Sequence, residues 1–225
     1  MRSCETIHLK SNEPSLSTPI TSQYQKAIWL VCLLCGGLLF SHGAYLWAKA
    51  QLAQVLIARA WQTALLAEVS LERSSGATPV MYQQAQKVKP WPWADTYPVA
   101  KIQFAEQSLY VLAGASGRTM AFGPGHMSAT PLPFQGGNSV FTGHRDSHFA
   151  SLAQLNKGDV IDVQTLAGQG QYRITAIFVV HQSQMHIIES NNQDQLTLLT
   201  CYPFNSLTPN PTLRFVVSAQ RVFEG

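Results

Sequence analysis

The sequence predicts a mainly-β domain, a barrel or sandwich, behind an N-terminal transmembrane helix and a helical stalk. Three observations carry this. Residues 27–48 form an apolar run without a full charge. Residues 49–73 are rich in Ala, Leu and Gln and hold no Gly or Pro. After Pro90-Trp91-Pro92-Trp93 the chain breaks into short β-branched runs separated by Gly, Pro and Asn clusters. Charged residues are only 12% of the 225 and apolar residues 46%, which excludes a disordered chain, a collagen and a coiled coil. The net charge is +3 and the basic residues are scattered, so no basic stripe points to nucleic acid.

The apolar run, Ala27–Ala48, reads AIWLVCLLCGGLLFSHGAYLWA. At about 1.5 Å per residue it reaches about 33 Å, enough to cross a bilayer core. Trp29, Tyr45 and Trp47 lie near its ends, where amphipathic aromatics favour the interface. A cleaved signal peptide is the alternative, since Ala48-Lys49-Ala50 mimics a cleavage site; a 26-residue head and the length of the run favour a retained single-pass anchor. Arg2, Lys10 and Lys26 before the helix against Lys49 and Arg59 after it put the head, residues 1–26, in the cytoplasm and the bulk outside.

Residues 49–89 are expected to be a helical stalk and linker. Leu52, Val55, Leu56, Ala60 and Ala64 fall near a 3.6-residue period, Ser74-Ser75-Gly76 ends the helix, and Thr78-Pro79 opens a looser stretch. The remaining domain, 90–225, is expected to hold strands at 97–103, 108–113, 138–142, 159–165, 172–181, 195–201 and 212–221. In the fifth of these Ile174, Ala176, Phe178 and Val180 share one parity. One short helix is expected near 147–156, with Phe149, Leu152 and Leu155 as its buried stripe and Lys157-Gly158-Asp159 as its stop.

Of four cysteines, Cys4 is in the head and Cys32 and Cys35 are in the apolar run, leaving Cys201 alone in the exported domain with no disulfide partner. It is either a buried inert thiol or one kept for its chemistry. It ends a strand just before Pro203, where strands give way to loops and reactive groups gather. A thiol nucleophile needs a proton-handling partner. Among His126, His144, His148, His181 and His186, His144 is singled out because it too follows a strand, Ser139-Val140-Phe141-Thr142, through Gly143. Arg214, on the strand face opposite Leu213, Phe215 and Val217, is the candidate for stabilising an oxyanion, or else a solvated arginine.

Together these residues resemble the sortase family of cysteine transpeptidases. The pieces are Thr197-Leu198-Leu199-Thr200-Cys201, Thr142-Gly143-His144 and Arg214, in the family's order, over roughly residues 90 to 225. Gly143-His144-Arg145-Asp146-Ser147-His148-Phe149, Thr200-Cys201-Tyr202-Pro203-Phe204, Trp91-Pro92-Trp93-Ala94-Asp95 and Phe122-Gly123-Pro124-Gly125-His126 are similar to the sortases of Gram-negative bacteria. The resemblance implies a closed eight-stranded β-barrel with short helices, anchored in the inner membrane with its catalytic domain on the periplasmic side. It implies a target protein with an LPXTG-like C-terminal sorting signal. Cys201 would attack the Thr–Gly carbonyl to form a thioacyl enzyme, which an amine acceptor resolves, with hydrolysis as a side reaction. His144 would be general acid then base, Arg214 would hold the oxyanion or the substrate backbone, and Thr200 would contact substrate. The thiolate–imidazolium pair of the family is held by a fraction of molecules.

No cofactor is expected, and no metal: the exported domain has eight acidic residues, dispersed along the chain, where calcium-binding sortases cluster theirs. Three other readings compete. His144, His148 and Cys201 could form a zinc site; Cys201 and His144 could serve a plain cysteine hydrolase with Asp146 or Asn205 as orienter; or the barrel could be a binding module with an inert Cys201. Tyr202 and Phe204 are either groove aromatics or core.

Overall fold

The structure, a computed structural model, describes residues 20–74, 78–189, 193–206 and 211–223. The expected cytoplasmic head lies outside these residues up to position 19, Arg2, Cys4 and Lys10 included. The chain divides into two compact units, residues 1–48 and 49–225. Helix α1 is Ile20–Glu72. In the first unit every side chain from 23 to 48 is exposed, Trp29, Leu39, Phe40 and Trp47 among them. The Gln23–Glu72 stretch is long and apolar enough to cross a membrane.

In the second unit eight strands close a barrel. They are β1 (Pro98–Phe104), β2 (Gln107–Ala113), β3 (Gly125–His126), β4 (Asn138–Thr142), β5 (Val160–Thr165), β6 (Gly168–His181), β7 (Gln195–Tyr202) and β8 (Leu213–Val222). The order around the barrel is β1-β2-β3-β4-β7-β8-β6-β5, with β5 pairing back onto β1. All neighbours are antiparallel except β2 with β3 and β4 with β7. A closed sheet has no free edge to template aggregation. The core holds the inward alternation of these strands: Ala100 and Ile102, Leu109 and Val111, Phe141, Ile161 and Val163, Tyr172 and Ile174, Leu196 and Leu198, Val217 and Ala219.

Seven strands fall where the sequence puts them. β3 escapes sequence reading because a two-residue strand shows no alternation. Its Gly125 packs so tightly on Gly114 that a Cβ would overlap that residue's carbonyl. β6 begins four residues earlier than expected, at Gly168, across a tight turn from β5. The single parity expected along β6 fails. A bulge between Ile174 and Ala176 adds a residue, so Ile177, not Ala176, follows Ile174 onto the core, and Phe178 is exposed. The expected helix near 147–156 is a 3-10 helix at Ala150–Gln154. Phe149, Leu152 and Leu155 are its buried row, and a three-residue spacing fits the 3-10 period better than the α period.

The stalk stripe is also rephased. Leu52 and Val55 are exposed, whereas Ala53, Ile57, Ala60, Trp61 and Ala64 are buried. Trp61 lies against Tyr110 on the outer face of β2, with ring centroids 6.4 Å apart. Residues 49–72 therefore pack on the barrel. A second short helix, α2, follows at Pro79–Gln86, and a third, α3, at Gly117–Met120 is capped by the Ser116 hydroxyl, which accepts from Thr119 N.

The Tyr172 hydroxyl donates to Asp194 Oδ1 at 2.6 Å and accepts from Phe134 N at 3.3 Å. Asp194 Oδ2 is 3.1 Å from Arg221 Nη1, and that guanidinium lies 4.7 Å from the Phe134 ring centroid. Burial first, and then the Asp194 carboxylate, push the Tyr172 phenol well above its ordinary range. Tyr172→Phe leaves two half-buried partners, Phe134 N and Asp194 Oδ1, short of a bond, which should cost about 1–3 kcal/mol. A denaturant titration should show a lower midpoint with an unchanged m value.

Candidate active site

The site is built by the register of the central strands. In the parallel β4–β7 pair Thr142 lies opposite Leu199, an offset of 57. His144 lies two residues beyond that pair, as Cys201 lies two beyond Leu199. In the antiparallel β7–β8 pair Cys201 lies directly opposite Arg214. Cys201 and Arg214 thus face each other on adjacent strands about 4.8 Å apart, and His144 follows the end of β4, the strand on the other side of β7.

Strand parity explains which way they face. Leu196 and Leu198 of β7 point into the core, so Thr197, Leu199 and Cys201 point out; Phe215 and Val217 of β8 point in, so Arg214 points out. Cys201 is a free, half-buried thiol. His144 is exposed. Arg214 Nη1 donates to the carbonyls of Pro211 at 2.6 Å and Leu213 at 2.9 Å, and Nη2 to Gln182 Oε1 at 3.0 Å.

Thr200, expected to contact substrate, is only 2% exposed. Its parity turns it inward, and its hydroxyl donates to the Gly143 carbonyl at 2.7 Å. The residue before the thiol thereby grips the residue before the histidine, which gives Thr200 a positioning role. Gly143 N donates to Leu199 O at 3.2 Å, so the ladder runs one step past β4. Gly143 is needed because Phe149 packs over it: a Cβ would lie 3.0 Å from that ring.

Arg145 carries the strongest signal that sequence reading missed. It is 8% exposed, unusual for a guanidinium. Nη1 donates to Pro203 O at 2.8 Å, Nη2 to Ser206 O at 2.5 Å, and Nε is 3.3 Å from Asp146 Oδ1. Its partners are backbone carbonyls some sixty residues away, which no local pattern announces. They tie the histidine loop to the segment that follows the thiol. That segment begins with a cis Tyr202–Pro203 bond. Tyr202, Phe204 and Phe215 form a ring cluster beside it, with Phe204 and Phe215 packed on the core.

A groove of about 510 Å³ lies beside this triad, lined by Met127, Ile187, Ile188, Leu199 and Arg214, with His181 to Gln184 along one side. Its wall is a 3-10 helix at Met185–Ile188. Buried Asn138 pins that wall: Nδ2 donates to Ile187 O at 2.9 Å and Glu189 O at 3.4 Å, while Oδ1 accepts from Thr197 Oγ1 at 2.7 Å. Of the other histidines, His126 is buried against Phe141 with Nε2 3.2 Å from Pro131 O, and His181 and His186 are exposed on the groove wall. Among the described residues no three His, Cys, Asp or Glu side chains gather closely enough to hold a metal ion.

Thr200→Val keeps the shape but leaves the buried Gly143 carbonyl without this donor. It should cost about 1–3 kcal/mol in a denaturant titration. Burial also lowers the pKa of His126 and of His148, against backbone hydrogen bonds that raise them. The folded state then holds these rings neutral more firmly than the unfolded state does. Their contribution is complete above an ordinary histidine pKa of about 6.5 and is lost as pH falls below it. Thermal melts should drop from pH 7 to pH 5, and His126→Gln should flatten part of that slope.

Residues 100–222 match the sortase domain family. Sortase D of Bacillus subtilis (strain 168) is 29% identical over 125 residues, which cover 55% of this chain and 63% of that protein. Sortase A of Bacillus anthracis is 30% identical over 69 residues, covering 29% of this chain and 33% of that one. The chain thus matches less than two thirds of the length of either relative. Among solved structures, the Clostridium perfringens sortase D5 transpeptidase is similar with a TM-score of 0.50 at 25% identity, covering 56% of this chain and 80% of that one. Sortase A of Corynebacterium diphtheriae shares the fold with a TM-score of 0.54 at 24% identity, covering 77% and 85%. With the family domain spanning more than half of its residues and the closed eight-stranded barrel that goes with it, the chain belongs to the sortase family.

Proposed function

We propose that this sortase is a membrane-anchored cysteine transpeptidase of the Gram-negative group, with its barrel on the periplasmic side of the inner membrane and its head in the cytoplasm. The observation that carries the reading is Cys201 directly opposite Arg214 on β7 and β8, with His144 two residues past the end of the neighbouring β4, beside an apolar groove. Its target is an exported protein with an LPXTG-like sorting signal, whose aliphatic residues suit the Ile187, Ile188 and Leu199 lining.

The Cys201 thiolate attacks the carbonyl carbon of the Thr–Gly bond, and the oxygen takes up the charge. Arg214, a fixed cation at the same level, stabilises that oxyanion or the substrate backbone beside it. As the C–N bond breaks, His144 gives its proton to the leaving Gly amine. An incoming amine then attacks the thioester, passes a proton to His144, and the C–S bond breaks to restore the thiolate. Water in place of the amine gives hydrolysis.

The test uses the full chain in detergent micelles, a panel of LPXTG-like peptides, and triglycine or hydroxylamine as the amine. Intact-mass spectrometry should find an acyl adduct on Cys201 that the amine converts to a new amide. Cys201→Ala and His144→Ala should abolish turnover, and Arg214→Ala should lower kcat about 100- to 1,000-fold. Cleavage without amide product would favour a plain hydrolase. A thiol that forms no adduct and resists alkylation across the pH range would favour a binding barrel.

A further inference from the structure

The wall of the groove does not hold its own shape. It is a single 3-10 turn, Met185–Ile188, too short to be stable on its backbone bonds alone. Its start is tied to the barrel: Gln182 N donates to Thr212 O at 2.8 Å, and His181 N to Gln184 Oε1 at 2.9 Å. Carbonyls at the end of a helical turn have no partner within it. Here the Asn138 side chain supplies one, with Nδ2 donating to Ile187 O at 2.9 Å and to Glu189 O at 3.4 Å.

Asn138 opens β4 and is 1% exposed. Its side chain is fixed in turn from the floor of the groove. Oδ1 accepts from Thr197 Oγ1 at 2.7 Å, and that hydroxyl accepts from Gln195 Nε2 at 3.2 Å. The orientation of the Asn138 amide follows from its partners, since two carbonyls can only accept and so face the nitrogen. Thr197 lies on the same face of β7 as Leu199, which lines the groove, and as Cys201. One side chain therefore joins the wall, with its half-buried Ile187 and Ile188, to the strand that carries both the floor and the thiol.

We propose that Asn138 is a positioning residue for substrate: by fixing the spacing between the Ile187–Ile188 wall and Leu199, it sets which aliphatic side chain of the peptide the groove accepts. The inference rests on the transpeptidase reading of that groove. Contact in such a slot depends steeply on distance, and a gap of about 0.5–1 Å forfeits a quarter to a half of the dispersion attraction. A wall tied only at its start swings, grips a leucine less tightly and no longer tells it from a smaller side chain. The aliphatic contact is made before and during the chemistry alike, so its loss falls on KM and not on kcat.

The experiment compares Asn138→Ala, Asn138→Asp and Thr197→Val with the unaltered full chain in detergent micelles. It reads the kinetics of Cys201 acylation with sorting-signal peptides that carry Leu, Val or Ala at the aliphatic position. It also reads hydrogen exchange of the amides at 185–189, with those at 98–113 as the control. The unaltered chain should prefer Leu over Ala by about a hundredfold or more in kcat/KM. Asn138→Ala should raise KM for the Leu peptide about tenfold, hold kcat within about twofold, and cut the preference for Leu about tenfold. Asn138→Asp keeps the shape and the bond from Thr197 but turns a carboxylate oxygen on the two wall carbonyls, and should lose at least as much. Thr197→Val leaves the wall bonds and removes only their support, and should give the same change in smaller measure. Exchange at 185–189 should speed in all three variants and stay constant at 98–113. A loss that falls on kcat with KM and preference constant, unchanged exchange at 185–189, or equal speeding at 98–113 would each overturn the inference. If the Asn138 variants fail to fold, Thr197→Val decides by the same readouts. If the unaltered chain forms no adduct with any peptide, the transpeptidase reading falls instead; exchange at 185–189 in Asn138→Ala then decides the anchor of the wall, for it if faster and against it if equal.

Discussion

The structure depends on one parallel strand pair. β4 and β7 are 57 residues apart in register, joined through a stretch containing β5 and β6, and their pairing brings the end of the strand before His144 beside the strand that carries Cys201. A slip of one residue would turn every side chain of β7 to the other face, sending Cys201 into the core and Leu196 and Leu198 out of it. The hydrophobic effect therefore enforces the register. Burying two leucines and Phe141 on one side of the sheet is what keeps the Cys201 thiol on the other.

Burial fixes the face, and polar bonds fix the level. The Thr200 hydroxyl on the Gly143 carbonyl, the Gly143 amide on the Leu199 carbonyl, and the buried Arg145 guanidinium on Pro203 and Ser206 all join the chain around His144 to the chain around Cys201. Buried polar groups are costly unless satisfied, so once formed these bonds admit few alternatives. The groove beside them is held in the same manner, with Asn138 gripping the 3-10 wall and Thr197 gripping Asn138. The proposed transpeptidase mechanism, which needs thiol, imidazole and guanidinium held within fractions of an ångström, would depend on such support.

The N-terminal helix changes character along its length. From 23 to 48 its side chains are exposed and mostly apolar; from Ala53 to Ala64 one stripe is buried on the barrel, and Gln54 reaches the Phe122 carbonyl. This stripe was only half visible in the sequence. Ala60 and Ala64 are in it, but the larger Leu52 and Val55 outweigh Ala53 in any hydrophobic tally, whereas in the fold Ala53, Ile57 and Trp61 are buried and Leu52 and Val55 are exposed.

Much of the architecture was written locally. β-branched runs and turn residues announce seven strands, the uncharged apolar run announces a membrane-length helix, and the lone thiol of Cys201 at a strand end, with the motifs that resemble the sortases, marks a candidate site. Each rests on side-chain periodicity or residue chemistry, which one stretch of chain carries by itself. The closure of the barrel was expected only through the family resemblance, and the two-residue β3, the bulge in β6, the inward turn of Thr200 and the burial of Arg145 came only from the tertiary structure. Each depends on a partner far along the chain: a strand edge to pair with, a carbonyl to receive a donor, a neighbour whose close approach leaves no room for a Cβ. A sequence states what a residue can offer, and only the fold decides which distant group accepts it.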